Sequence, residues 1–288
     1  MIDSIALIGF GEAARAFAAG AGWRARAIAF DIKTLQPGAR EAMERAYLAA
    51  GVRAAPSARE ALSGADVVLS LVTADQALAS AKADARHLIP GALWFDMNSV
   101  APDTKRAAAA VIEEAGARYV DVAVMSPVFP ARTGVPLLVS GPHAEAGLAA
   151  LSAAGFSKAR VVPGQVGAAS AIKMIRSVMI KGMEALSAEC LAAADRADVV
   201  DEVVASLGGD WPAKLDYNLD RMLVHGTRRA AEMDEVVKTL ESLGVAARMA
   251  RGAAAWQRAA GALDAGALEG LTAKLKALAE ASGLKEQP

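Results

Sequence analysis

The chain has 288 residues, room for two domains, a formal net charge of −1 and a single cysteine, Cys190. A near-neutral balance without blocks of like charge excludes an electrostatic nucleic-acid binder, and one cysteine excludes an internal disulfide. Three scattered histidines (His87, His143, His225) beside that cysteine leave no basis for a structural metal site. Hydrophobic residues make up 54% but aromatics only 5%, so the expected core is of small aliphatic side chains and closely packed helices. Cys190 reads as one such small core residue in a reducing compartment. No uncharged apolar run reaches about 18 residues. Asp3, Glu12 and Arg15 interrupt the apolar N-terminus, so neither a membrane span nor a signal peptide is expected, and the expected location is cytoplasmic.

The first elements in the chain carry the most information. An apolar strand over residues 5–8 runs into Gly9-Phe10-Gly11-Glu12-Ala13-Ala14 and then a helix-like stretch. A second strand over residues 25–30 ends on Asp31, about 20 residues beyond Gly9. This is the layout of a dinucleotide-binding βαβ unit. Gly9 permits the tight turn, Gly11 lets backbone approach a pyrophosphate, and the small Ala14 keeps the helix close to the strand. Residues 9–13 therefore form the candidate phosphate cradle, at a helix N-terminus whose free N–H groups favour an anion. Asp31 is placed to accept from adenosine ribose hydroxyls and to repel a 2′-phosphate, which points to NAD. Lys33, two residues on, offers a charge to such a phosphate and leaves NADP open.

Beyond it, strand-like and helix-like segments alternate. Residues 67–72 form a continuous apolar run that reads as a buried parallel strand, and residues 74–88 are helical. Thr73 lies between them, where it either touches the cofactor or caps the helix. A strand over 92–96 is followed by Asn98 and Ser99, placed either to meet a substrate or to form a capped turn. Pro102 opens a helix through 115, then come strands at 118–124 and 136–140, a helix at 143–154 and a last strand at 161–162. Repeated βα units predict a doubly wound parallel sheet, an α/β fold. After Pro163 the texture changes. Residues 167–197 contain no proline and, after Gly167, one glycine (Gly182), and read as one long helix. The rest is helical, broken at 207–209, 243–244 and 282–283, with a frayed tail at 285–288. The expected domains are a dinucleotide-binding domain over 1–163 and an all-α domain over 164–288 that begins with the long helix.

Lys173 lies two turns into that helix. Lys173, Ser177, Lys181 and Glu184 share one stripe at helical spacing. A lysine partly buried there is able to shuttle a proton, although helix lysines are usually solvated charges.

Four landmarks in order resemble the β-hydroxyacid dehydrogenase family, which includes 6-phosphogluconate and 3-hydroxyisobutyrate dehydrogenases. They are Gly9-x-Gly11-x-x-Ala14, Asp96-x-Asn98-Ser99-x-x-Pro102, Asp121-Val122-Ala123-Val124, and Gly164-x-x-Gly167 followed by Lys173. The segment from His225 to Met233 resembles a branch whose C-terminal domain is DUF1932-like. The resemblance implies that Lys173 is the catalytic acid/base and that a small-molecule carboxylate substrate lies near Ser99 and the segment after Val124. Two positions depart from the family. Met125-Ser126-Pro127 replaces the usual Ser-Gly-Gly turn, and proline removes one N–H donor. Ser177 stands where the family has asparagine. Ser126, Ser177, Arg176 and His225 are therefore the candidate replacements for anion or substrate contacts. Arg228 and Arg229 are further candidates, with a solvated salt-bridge face as their alternative and helix capping as that of His225. The expected activity is an NAD(P)-dependent oxidoreductase acting on a β-hydroxyacid or related carbonyl compound, assembled as a homodimer. An imine reductase or a non-catalytic dinucleotide sensor are the alternatives.

Overall fold

The structure is a computed structural model that describes residues 4–23 and 26–282, with side chains through residue 279. The expected start of the second strand at Ala25 and the tail at 285–288 lie outside the described residues. The chain forms two compact units, residues 1–173 and 174–288.

The first unit is an eight-stranded sheet in the order β3-β2-β1-β4-β5-β6-β7-β8. The strands are β1 (Ile5–Ile8), β2 (Ala27–Phe30), β3 (Arg53–Ala54), β4 (Val67–Ser70), β5 (Leu93–Asp96), β6 (Arg118–Val124), β7 (Leu137–Ser140) and β8 (Ala159–Val161). Helices α1 (Glu12–Ala21), α2 (Pro37–Ala50), α3 (Ala58–Leu62), α4 (Ala77–Asp84), α5 (Pro102–Glu114) and α6 (Ala144–Ala153) connect them. Alternate residues of the central strands face opposite layers. Ile5, Leu7, Val67, Leu69, Leu93 and Phe95 join one core with Phe10, Phe17 and Tyr47. Ala6, Ile8, Val68 and Trp94 join the other with Ile112 and Tyr119. Covering both faces is what makes these strands apolar without interruption.

One pairing differs from the predicted parallel sheet. β6 and β7 are antiparallel, with Asp121 opposite Ser140 and Val124 opposite Leu137. Residues 125–136 hold three prolines and form only a short 3₁₀ turn at Arg132–Gly134. That segment has no helix to carry a parallel crossover, so the chain simply reverses.

α7 (Ala168–Arg196) starts in the first unit and runs 29 residues without a break. The second unit continues with α8 (Val200–Leu207), α9 (Trp211–Ser242), α10 (Arg248–Ala262) and α11 (Leu271–Ser282). α9 and α10 touch backbone to backbone at Gly226 and Gly261. A Cβ on Gly226 would lie 2.4 Å from the Gln257 carbonyl oxygen, so only glycine allows this crossing. Leu215, Leu219, Met222, Leu275 and Leu278 fill the core beside it.

Candidate active site

The glycine turn has the geometry its sequence predicts. Gly9 has φ +86°, and a Cβ there would lie 2.5 Å from the Leu71 carbonyl oxygen. Its N–H donates to Phe30 O at 2.9 Å, which fastens the turn between β1 and β2. Gly11 is the N-cap of α1, and no side chain caps that helix. A Cβ on Gly11 would meet nothing within 4 Å, and Gly11 and Glu12 are exposed while Ala13 is half-buried. Uncapped N–H groups beside open space suit a pyrophosphate.

Asp31 follows β2 and is half-buried. Its Oδ2 accepts from the Phe10 N–H at 2.7 Å and its Oδ1 from the Lys33 N–H at 2.9 Å. A carboxylate has about four acceptor sites, so these two bonds leave acceptor capacity open on Asp31. The Lys33 residue is exposed. Thr73 is exposed at the N-cap of the 3₁₀ turn Ala74–Gln76, with no side-chain bond to the turn's backbone. The side chain of Gln76, and after it the Thr73 hydroxyl, hold the Asp75 carboxyl below its usual range. These features together fit a dinucleotide.

At the C-terminal end of β5 the structure brings Ser99 and Lys173 together. Lys173 Nζ donates to Ser99 Oγ at 2.6 Å, and both residues are half-buried. Asn98 is buried and turned inward. Its backbone N–H and its Nδ2 both donate to Asp96 Oδ1, at 3.0 and 2.8 Å, and Nδ2 also donates to Ser70 Oγ at 3.0 Å. Ser126 is exposed, with its hydroxyl 3.4 Å from Pro127 O.

Beneath this pair lies a charged cluster that the sequence reading did not single out. The Lys105 side chain is 0% exposed. Its Nζ donates to Asp96 O at 2.6 Å and to Asp96 Oδ1 at 3.0 Å, and lies 3.5 Å from Asp121 Oδ1. The Tyr119 hydroxyl donates to Asp96 Oδ2 at 2.6 Å. Burial first, and the charges of Asp96 and Asp121 next, push that hydroxyl well above the usual tyrosine range. Asp121 Oδ2 accepts from Ser140 Oγ and Gly167 N–H, both at 2.9 Å, and from Ser170 N–H at 3.3 Å. It thereby caps α7. The one sequence signal was an acid at the end of β5 and another within β6. Lys105, in the first turn of α5, looks like any solvated helix lysine.

The other candidates belong to the second unit. Ser177, Lys181 and Glu184 are buried, so the polar stripe of α7 faces inward. Lys181 Nζ pairs with Glu232 Oε2 at 3.0 Å and donates to Ser177 Oγ at 3.4 Å. Arg229 is buried and ion-paired to Glu184, which also accepts from Gln257 Nε2 at 2.7 Å. The reading of Arg228 and Arg229 as one solvated face holds for Arg228 alone, because Glu184 draws Arg229 into the helix interface. Arg176 is exposed and His225 half-buried. On the outer side of α7, Ile172, Ile175, Met179, Ile180 and Leu186 are exposed. Cys190 is exposed as well, against its reading as a core residue, because it follows that outer side.

Comparison with known proteins bears on the whole chain. The sequence profile of the NAD binding domain of 6-phosphogluconate dehydrogenase matches residues 5–154, just over half of it. The chain belongs to the β-hydroxyacid dehydrogenase family. The DUF1932 domain of unknown function matches residues 194–260 and places the chain in the branch carrying that domain. The cofactor is NAD(P), and the geometry of the glycine turn fits it. A conserved hypothetical protein from Sinorhizobium meliloti 1021 is 39% identical, with TM-score 0.73 over 98% of this chain and 97% of that one. An NAD-dependent L-serine dehydrogenase from Pseudomonas aeruginosa is 35% identical over 34% of this chain and 35% of its own length. A 3-hydroxyisobutyrate dehydrogenase from Mycobacterium tuberculosis shares the fold, at 20% identity and TM-score 0.73 over 96% of this chain and 99% of that one. Among the described residues no group of acids, histidines and cysteine is placed to hold a metal, and no helix is long and apolar enough to cross a membrane.

Proposed function

We propose that the protein is an NAD-dependent dehydrogenase that oxidises a small 3-hydroxy acid, or reduces the matching carbonyl compound, with Lys173 as acid/base. The observation that carries this reading is the 2.6 Å bond between Lys173 Nζ and Ser99 Oγ in the unit that also holds the glycine turn. Bound NAD supplies the hydride acceptor. As a neutral amine, Lys173 accepts the substrate's hydroxyl proton in oxidation. As an ammonium, it returns that proton to the carbonyl oxygen in reduction. Ser99 aims the amine by accepting from it, and offers its own O–H to the substrate carboxylate. Residues 9–13 hold the pyrophosphate, with Thr73 at the ribose or nicotinamide. Asp31 favours NAD over its phosphorylated form, and Lys33 is the group that would moderate the preference. Ser126, exposed on the turn after β6, remains the proposed contact to the rest of the substrate, whereas Ser177 is taken up by Lys181 inside the helical unit.

The proposed division of labour is a cofactor domain over 1–163 and a substrate and dimerisation domain over 164–288. The exposed apolar side of α7, with Ile175, Met179, Ile180 and Leu186, supports a homodimer. A solution mass twice that of the chain is expected by light scattering, and a monomer at micromolar concentration would overturn that part. For the activity, the purified protein is titrated with NAD and NADP and then assayed with a panel of 3-hydroxy acids. NADH formation with at least one acid and tighter binding of NAD are expected. Binding of NAD with no turnover across the panel would leave a dinucleotide sensor instead.

A further inference from the structure

We infer that Lys105 is a positioning residue that holds Ser99 and Lys173 in register from below, an inference that rests on the role proposed for that pair. The two partners come from different parts of the chain. Ser99 is on the turn after β5, and Lys173 is in the second turn of α7. Each part is fastened to its own buried carboxylate. Asp96 Oδ1 takes both the N–H and the Nδ2 of Asn98, and so sets the turn that presents Ser99. Asp121 Oδ2 takes the N–H groups of Gly167 and Ser170, and so sets where α7 starts and which way Lys173 points. The link between the two fasteners is the Lys105 ammonium, 3.0 Å from Asp96 Oδ1 and 3.5 Å from Asp121 Oδ1. It also donates to Asp96 O at 2.6 Å and to Val122 O at 3.4 Å, which ties the end of β5 to β6.

Burial makes this link strong. All three side chains are 2% exposed or less, so water screens little of the attraction or of the repulsion between the two carboxylates. Asp121 Oδ1 has no hydrogen-bond donor, so the ammonium is what balances it. Without Lys105, two carboxylates would face each other in a dry interior. The carboxylates would separate or one would take up a proton, and either change moves the turn or the helix start. The surrounding groups reinforce the arrangement. Tyr119 donates to Asp96, and Ser140 donates to Asp121 while accepting from the Ala169 N–H. A lysine that only stabilised the fold would not need to contact both fasteners.

The test follows the reactivity of the Lys173 amine toward a small acylating reagent, read by peptide mass spectrometry on the NAD-free protein. In Lys105→Met, Lys173 is expected to label about fivefold faster, the loss of roughly one hydrogen bond's worth of protection, while Lys105→Arg stays near the parent rate. Given a confirmed substrate, Lys105→Met also loses about 10²-fold in kcat through misplacement of the proton carrier, with the NAD dissociation constant within threefold. If Lys105→Met does not fold, Asp121→Asn serves. It keeps the volume, leaves Lys105 paired to Asp96 and is expected to raise labelling by the same factor. A folded variant of either kind with unchanged Lys173 labelling overturns the inference. Labelling that rises in a protein found to have no dehydrogenase activity would sustain the positioning role and sink the enzymatic reading alone.

Discussion

The two units bury charge in different ways. In the first, Asp96, Lys105 and Asp121 lie under the strand ends, and each carboxylate also holds backbone N–H groups of a turn or a helix start. In the second, the pairs Glu184–Arg229 and Lys181–Glu232 run from side chain to side chain between helices. A buried ion pair is weak evidence for net stability, because desolvation offsets much of the attraction. What it fixes is geometry. In the sheet it fixes where a loop presents a hydroxyl and where a helix begins. In the helical unit it fixes which helix faces meet. The first arrangement underlies the proposed site, and the second braces helices.

That contrast can be broken at each end. The largest effect is expected for Lys173→Ala, which should cut turnover of a confirmed substrate by about 10²–10⁴ while leaving the melting temperature and NAD affinity near the parent values. A loss under threefold would remove the acid/base role. Glu184→Ala should do the reverse. It leaves the Arg229 guanidinium buried without its carboxylate, at a cost of about 3–5 kcal/mol in unfolding free energy by denaturant titration. The double variant Glu184→Leu/Arg229→Met should recover most of that. A double variant no more stable than the single one would mean the pair does more than staple helices.

The smallest effect is expected at Asp84, buried on α4, where desolvation raises the carboxyl above its usual range against a hydrogen bond from Ser80. A raised folded-state value means the fold holds the proton more tightly than the unfolded chain. Its stabilising contribution is therefore present below the unfolded value and lost as pH rises through the folded one. Asp84→Asn should be more stable than the parent at neutral pH, and the gap should close as pH falls below about 4. A gap that persists in acid would show that the benefit is packing and not ionisation.

The sheet and the nucleotide turn were legible because their signals are local. A glycine forced to positive φ, a strand with both faces buried and an acid at the right distance each leave a mark on neighbouring letters. β7 was misread in direction because residues 125–136 do not announce whether they cross over or turn back. Lys105 was illegible for a different reason. Nothing within α5 distinguishes it from a solvated lysine, and its partners come from β5 and β6. The polar stripe of α7 was visible as spacing, but that it points inward depends on Arg229, Glu232 and Gln257 arriving from α9 and α10. Ser99 and Lys173 were each marked in the sequence, but the bond between them joins positions 74 apart and leaves no local sign.

Asp31 has one more consequence. Its carboxylate already latches the Phe10 N–H, so the group that would choose between the two nucleotides is also a rivet of the turn that receives them. Replacing it to change coenzyme preference would loosen the receiving loop in the same stroke. A protein engineer would do better to keep the acid and recast the exposed Lys33, whose side chain can be exchanged without touching that latch.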